Sequence, residues 1–452
     1  MNQTHFLLLL LGIGFTYLII GLYAGRKIID KADYFLASRS YGVFAVTLTL
    51  VATQLGGGMI LGTSNEAYHV GIYGIAYSAG IFLGFIALAL GLAHKLRGFN
   101  VATTAELFET KYHSTFLRKI AAVMMILSLC GILAGQVVAS RMFLHGLGIH
   151  HEGIFLLFWG FVIGYTVMGG LKAVVLTDIY QVLFIFVLFI GLFFWAQTDY
   201  PVTSLDWSPA PGAFTQEINW QTFTPMLLLP FLFCLIEQDL AQRFFSARTQ
   251  RVATGAAIGA ACLILIFACI PAYFGLLTKE LGIEIPPHTS VLIALMRTLV
   301  PDVVLALIAC GLLAAIVSTA DSLLCAISSN LAQDFGTLSK NPRREVHISR
   351  LITLIGGVIA ILIAYYMDNI LEVLVKSYEL PVTCLFASIF FCCILKRVYT
   401  LAAVLSVFAG LGTFIVFKIF PISFPNEIIQ ILCSFLGYGI GWVIAKRSPT
   451  LA

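Results

Sequence analysis

Apolar stretches of about twenty residues or more, divided by short turn segments, follow one another along nearly the whole chain of 452 residues. About 20 residues of helix cross ~30 Å of hydrocarbon, so each stretch has the length of a membrane span. Thirteen spans are read, at 5–25, 41–67, 72–97, 118–145, 152–169, 171–198, 222–246, 249–279, 301–333, 347–367, 370–395, 398–420 and 424–445. Composition agrees: 60% of residues are hydrophobic and 11% charged, against about 25% charged in soluble proteins. The chain is expected to be an all-α integral membrane protein forming one transmembrane domain. A net charge of +4 gives no ground for a nucleic-acid partner. The ten cysteines sit in apolar runs, with neither zinc spacing nor a disulfide framework. The first run has no positive charge before it and Arg26, Lys27 and Lys31 after it, so it is expected to stay as a span.

Basic residues test the count, because cytoplasmic loops are enriched in Lys and Arg. With thirteen spans, alternate loops carry Arg26 to Arg39, Lys95 to Lys119, Lys172, Arg243 to Arg251, Lys340 to Arg350, Lys396 and Arg397, and Lys446 and Arg447. That is 21 of 26 basic residues on one side. The N-terminus is therefore expected outside and the C-terminus in the cytoplasm. A short outer helix is expected within 288–299.

Function is sought where spans break the hydrophobic pattern, since irregular backbone is tolerated in a membrane only against protein or a cavity. The second span contains Gln54-Leu55-Gly56-Gly57-Gly58-Met59. Three glycines disfavour continuous helix by ~1 kcal/mol each, which points to an unwound stretch facing a cavity; a close helix crossing that needs small residues is the other reading. The seventh span carries Pro225, Pro230 and then Glu237-Gln238-Asp239. Its carboxylates should face protein or water: Asp239 pairs with Arg243 four residues on, or the group lines a cavity, Glu237 above all. The two irregular spans are five apart, an odd number. Equivalent helices then run in opposite directions, the pattern of an inverted-repeat transporter with its site at the midplane.

The ninth span carries Ala315 and Ser318-Thr319-Ala320-Asp321-Ser322. Ala315, Ser318 and Ser322 share a helix face. Hydroxyl oxygens with a freed carbonyl suit a monovalent cation, although such hydroxyls also bond back to their own helix. Asp178, about 9 Å in from the start of the sixth span, can reach the depth of Ser322 and form a second cation site, or it complements the helix dipole. Gln136, Arg141 and Glu66 are further polar candidates, and Lys376 and Glu379, three apart, are expected to neutralise each other.

At these positions the chain resembles the sodium:solute symporter family, whose members carry proline, pantothenate, glucose or sialic acid. The matching motifs are Asp33-Tyr34-Phe35-Leu36-Ala37-Ser38-Arg39, the glycine-rich second span, Gly170-Leu171-Lys172-Ala173 through Thr177-Asp178, Gln238-Asp239 through Gln242-Arg243, and Ser318 to Ser322. The resemblance implies a leucine-transporter-like fold of two inverted five-helix repeats, 41–198 and 222–395. One extra helix precedes them (5–25) and two follow (398–445). It also implies a main sodium site from the carbonyls of Ala52, Leu55 and Ala315 and the hydroxyls of Ser318 and Thr319. A second site maps to Asp178, Ser318 and Ser322 with Asp321 alongside, where two-sodium members have a hydroxyl residue. Gln54, Gly56, Gly57, Met59, Glu237 and Gln238 are the substrate-lining candidates.

The expected function is sodium-coupled import of a small organic solute by alternating access, with one or two Na+ as coupling ions and an amine-bearing, amino-acid-like solute favoured. The expected partners are solute, sodium and the lipid of the cell's inner (plasma) membrane, with no obligatory protein partner. A proton-coupled transporter, or a sensor or channel on the same scaffold, is the alternative. No paired His/Glu metal motif or Gly-x-Ser-x-Gly elbow argues for an enzyme.

Overall fold

A glycine sets the bend that divides the longest described helix. The computed structural model describes residues 3–26, 28–205, 207, 220–287, 289–335, 342–364, 366, 370–420 and 424–447; Lys27, His288 and Lys340, named above, lie outside them. Among the described residues the regular elements are helices, apart from one isolated parallel bridge between Tyr41 and Ala247. In order they are α1 (Gln3–Gly25), α2 (Lys31–Leu36), α3 (Val43–Gln54), α4 (Thr63–Val70), α5 (Ala76–Ala87), α6 (Ala93–Gly98), α7 (Glu106–Tyr112), α8 (Thr115–Gly146) and α9 (Glu152–Ala196). There follow α10 (Trp220–Cys234), α11 (Gln238–Ser246), α12 (Gln250–Glu280), α13 (Val291–Leu299), α14 (Asp302–Asp334), α15 (Pro342–Ala364), α16 (Ile370–Ile394), α17 (Thr400–Ile419) and α18 (Asn426–Arg447). The short helix expected within 288–299 is α13, capped by Ser290, whose side chain accepts from the Ile293 amide.

Among the described residues, ten helices are long and apolar enough to cross a membrane. The difference from thirteen arises from the first run, counted only as the shorter apolar helix Leu10–Gly25, and from interruptions and joins. The expected second span is divided into α3, only 12 residues long, and a segment that begins with a π-turn at Gly58–Gly62. The expected fifth and sixth spans are one 45-residue run, α9. At 1.5 Å per residue α9 would be more than twice as long as the hydrocarbon is thick, and it is folded at Gly170 (φ 53°, ψ −152°). A Cβ on Gly170 would lie 2.6 Å from the Tyr34 carbonyl oxygen.

That bend gathers the motifs of the inner end. Lys172 Nζ lies 2.7 Å from Asp33 Oδ1, Ser38 donates to the same carboxylate, and Gln242 Nε2 donates to the Phe35 carbonyl at 2.6 Å. Partial burial alone would raise the Asp33 carboxyl, but the Lys172 and Ser38 hydrogen bonds outweigh it and hold it below the usual carboxylate value. Its stabilising contribution is therefore present above the ordinary aspartate range and is lost as pH falls through the lowered value.

The core lies where α14 packs against α8 and α9 while α3 and α4 pack against α12. The buried face of α14 carries Ser318, Thr319, Asp321 and Ser322. Because Gly170 combines positive φ with backbone contact, Gly170→Ala is expected to cost about 1–3 kcal/mol. Thermal unfolding of the purified protein checks this, and an unchanged midpoint would contradict it.

Candidate ion and solute site

A helix end leaves its last four carbonyls without intrahelical donors, and inside a membrane no water replaces them. α3 ends in this way at Gln54, with Leu55 as its cap (φ −75°, ψ 25°). The Val51 carbonyl still accepts from the Leu55 amide at 3.0 Å. The next two are met from α14: Ser318 Oγ donates to the Ala52 carbonyl at 3.0 Å, and Thr319 Oγ1 to the Thr53 carbonyl at 2.9 Å. The same hydroxyls also reach the Ala315 carbonyl, at 2.9 and 3.3 Å. Ala52, Ala315, Ser318 and Thr319 are thus brought together, with Leu55 capping the same break.

The three glycines serve both a break and a close crossing. Gly57 N donates to Gln136 Oε1 at 2.9 Å. A Cβ on Gly56 would lie 2.5 Å from Thr319 Oγ1, one on Gly57 2.5 Å from Ala139 Cβ, and one on Gly58 2.4 Å from Leu374 Cδ1. Unwinding is confined to Leu55 and Gly56; Gly57 is already helical and Gly58 opens the π-turn.

Next to this lies an arginine that is 0% exposed. Arg243 Nε donates to the Thr49 carbonyl (3.2 Å) and Thr49 Oγ1 (2.9 Å), and Nη1 to the Asp239 main-chain carbonyl (2.9 Å). Its Nη2 donates to Ser322 Oγ and lies 3.4 Å from Asp178 Oδ2, which also accepts from Thr49. The expected Asp239–Arg243 ion pair is therefore corrected: the carboxylate that meets the guanidinium is Asp178, because the α11 helix turns the Asp239 carbonyl, not its carboxylate, toward Nη1. Asp178, Ser318 and Ser322 do share a neighbourhood, since Ser322 Oγ donates to the Ser318 carbonyl at 2.6 Å. Asp321 accepts from Tyr165 OH, and its other oxygen lies 3.3 Å from Ser322 Oγ. Thr53 Oγ1 lies 3.2 Å from Ser322 Oγ.

A second break, at Leu235–Glu237 between α10 and α11, faces the first. Gln54 Nε2 donates to Glu237 Oε2 at 3.1 Å, so the two breaks are bridged by candidate solute residues. Gln238 does not join them: its Oε1 accepts from Thr104 N and Oγ1 at 2.7 and 3.1 Å, and its Nε2 donates to the Ala102 carbonyl. A residue in the first turn of α11 points back to the 102–104 loop and is spent there. Met59 is buried in the π-turn. Beside Gly58, Tyr77 OH and Tyr378 OH lie 2.8 Å apart, and Tyr378 stacks on Phe233. One turn before Leu374 and Tyr378, Leu371 and Val375 line a cavity of about 330 Å3 with Glu66, Pro225, Lys376 and Glu379. The expected Lys376–Glu379 neutralisation is not found. Lys376 pairs with Glu372 one helical turn back, and Glu379 with Lys418 at 2.8 Å and Gln430 at 3.1 Å.

Sequence reasoning passed over Thr49, Thr53 and Tyr165. None of them carries a charge or belongs to a motif that would single it out.

The family described as sodium:solute symporter matches residues 34–410. The chain belongs to that family. Its members are transporters rather than enzymes, sodium-coupled carriers of small solutes. The chain is similar to the osmoregulated proline transporter OpuE of Bacillus subtilis, 33% identical over 38% of this chain and 37% of the relative. It is similar also to the high-affinity choline transporter 1 of Drosophila melanogaster, 25% identical over 78% of this chain and 61% of the relative. The matches thus cover less than two thirds of either relative's length. Among solved structures, a Na+-coupled sialic acid symporter superposes with a TM-score of 0.75 at 19% identity, over 97% of this chain and 96% of that one. The fold is leucine-transporter-like.

Removing one partner from a buried ion pair costs about 3–5 kcal/mol. Asp178→Asn is accordingly expected to lower the thermal midpoint sharply, whereas Lys376→Gln, which breaks an exposed pair, is expected to leave it nearly unchanged. Comparable losses in the two variants would contradict the assignment.

Proposed function

We propose that the protein is a sodium-coupled secondary active symporter that imports a small organic solute across the cell's plasma (inner) membrane. The observation that carries this reading is the pair of α14 hydroxyls set on the freed carbonyls of α3. Ala52, Leu55, Ala315, Ser318 and Thr319 form the main sodium site. Those five oxygens are neutral, hard ligands of the kind that hold a weakly bound monovalent ion near the bilayer midplane. Without an ion the hydroxyl protons rest on the carbonyls; with sodium, the hydroxyl lone pairs and the carbonyls turn to the cation together. The ion therefore ties α3 to α14.

Solute binds between the two breaks, against Gln54, Gly56, Gly57, Met59 and Glu237. A buried carboxylate in apolar surroundings favours an amine-bearing solute of amino-acid type, and the proline and choline transporters among the similar proteins are in keeping with that class. Thirteen crossings with the N-terminus outside are retained. α9 supplies two of them, and the inverted repeats run over 41–198 and 222–395. Sodium entering from outside then steadies the outward-facing arrangement, solute binds, and the breaks act as pivots while the repeats rock. Each sodium moved across 100 mV contributes ~2.3 kcal/mol, plus its concentration gradient.

The test is uptake of labelled proline, other amino acids and choline into proteoliposomes with and without a sodium gradient. Ser318→Ala and Thr319→Ala are each expected to raise the half-saturating sodium concentration at least about tenfold, equivalent to 1.4 kcal/mol; uptake indifferent to sodium would refute the reading. Glu237→Gln is expected to weaken amine-bearing solutes at unchanged sodium dependence, and unaltered solute preference would remove Glu237 from the site.

A further inference from the structure

Six basic side chains converge where α16 turns into α17. Lys396 and Arg397 lie exposed in the turn itself. Tyr399, at its end, packs its ring 6.4 Å from that of Trp442 on α18, and Lys446 Nζ sits 4.9 Å over the same indole, with Arg447 next along the helix. From the other side Thr400 Oγ1 donates to the Tyr112 carbonyl at 2.5 Å, which sets the end of α7, and Lys111 with it, against the turn. Lys111 Nζ lies 4.5 Å over the Phe99 ring, and Lys95 stands one helical turn before Phe99. We propose that this basic elbow is a docking site for the phosphate headgroup of an anionic phospholipid, held at the inner end of α16. The proposal goes beyond the symport reading and needs neither sodium nor solute.

Three observations converge. First, the protein supplies no counter-charge. Among the described residues none of the six cations pairs with a carboxylate, whereas Arg118, Lys172, Arg243 and Lys418 each do. Segments 93–99, 395–400 and 442–447 contain no Asp or Glu. The two acids of α7 are engaged elsewhere: Glu106 accepts from the Ala102 amide at 2.7 Å, and Glu109 meets Arg118 at 2.5 Å. Second, charge and apolar surface follow one another in the order of a phospholipid's own parts. One turn toward the hydrocarbon from the cations, Ile394 on α16 is 48% exposed, and Val443 and Ile444 on α18 are 43% and 41% exposed, so acyl chains have a surface to lie on beneath a bound headgroup. Third, Tyr399 and Trp442 are the amphipathic rings that settle at the membrane–water boundary, which places the cations over them at headgroup depth. Basic clusters at that depth on the inner side select anionic headgroups, and the guanidinium fork of Arg397 or Arg447 matches phosphate geometry. A headgroup seated there ties the inner end of α16 to α7, α17 and α18 at once.

The test uses Trp442 as its reporter. The full-length protein is placed in phosphatidylcholine vesicles holding a minor share of phosphatidylglycerol, with bromine on the acyl chains of one lipid or the other. The Trp442 signal is the difference between the protein and Trp442→Phe. Its quenching is expected to show phosphatidylglycerol enriched at least about fivefold over its bulk share, the preference that one basic side chain near the surface confers. Equal quenching by the two lipids at equal mole fraction overturns the proposal. Lys396→Gln with Arg397→Gln is expected to abolish the enrichment, and Arg397→Lys to keep it. Arg344→Gln removes an exposed cation from α15, which packs against α8, α9 and α14 instead, and is expected to leave the enrichment intact. Comparable losses in the Arg344 and Lys396/Arg397 variants mean a diffuse surface potential and overturn the site, as does enrichment that survives neutralisation of the turn. Inorganic phosphate, set against chloride at equal ionic strength, is expected to change nothing; release by phosphate alone makes this a soluble-anion site and overturns the lipid assignment. Mass spectrometry of the intact protein with its retained lipid repeats the comparison without Trp442→Phe. Sodium-driven uptake is measured separately, so failure of the lipid site leaves symport standing.

Discussion

In hydrocarbon a peptide carbonyl released from a helix has no water to turn to, and that constraint organises the centre of this molecule. α3 stops at Gln54, deep in the helical core, and the donors that replace its missing amides are Ser318 and Thr319, on a helix 266 residues further along the chain. The contact demands close approach. Thr319 comes so near Gly56, Ala139 so near Gly57 and Leu374 so near Gly58 that a methyl group at any of the three would collide. The glycine run thus has two duties, to let the backbone break and to let three neighbours close on it. Of the two readings open from sequence, the close crossing holds at all three glycines, and the break is confined to Leu55 and Gly56.

Buried charge follows the same logic. Taking a guanidinium and a carboxylate out of water is expensive, and only complete hydrogen bonding repays it. Arg243 achieves this with main-chain oxygens as much as with its counter-ion: the Thr49 and Asp239 carbonyls complete its shell. Asp239 contributes through its backbone, which no charge-pairing rule along a helix anticipates.

How much of this was legible in the residues depends on range. The helical class followed from run lengths, and the two interrupted spans from Gly56 to Gly58 and from Glu237 among apolar neighbours. Ala52, Ser318 and Thr319 were named together through a resemblance and meet in space. Pairings decided across helices were harder. Lys376 and Glu379 lie three apart, yet Glu372 and Lys418 are better placed for them. Gln238 sits one residue from Glu237 but is claimed by Thr104. Thr49 and Tyr165 look like ordinary spacers in apolar runs, and their contacts with Asp178 and Asp321 arise only from packing. The span count blurred for local reasons: α3 stops short at Gln54, and α9 bends at a single glycine with positive φ within one helical run.

The first helix stands apart from the broken ones, yet it reaches their centre. Gly21 and Gly25 of α1 are notches against the carbonyls of Tyr165 and Met168, where a methyl group would lie 2.9 and 2.7 Å from those oxygens, and the Tyr17 ring packs 5.5 Å from that of Tyr165. Tyr165 in turn holds Asp321 from behind. The first helix is therefore the buttress of Asp321, the acidic side chain beside Ser322, and its grip on α9 decides how firmly that wall is set.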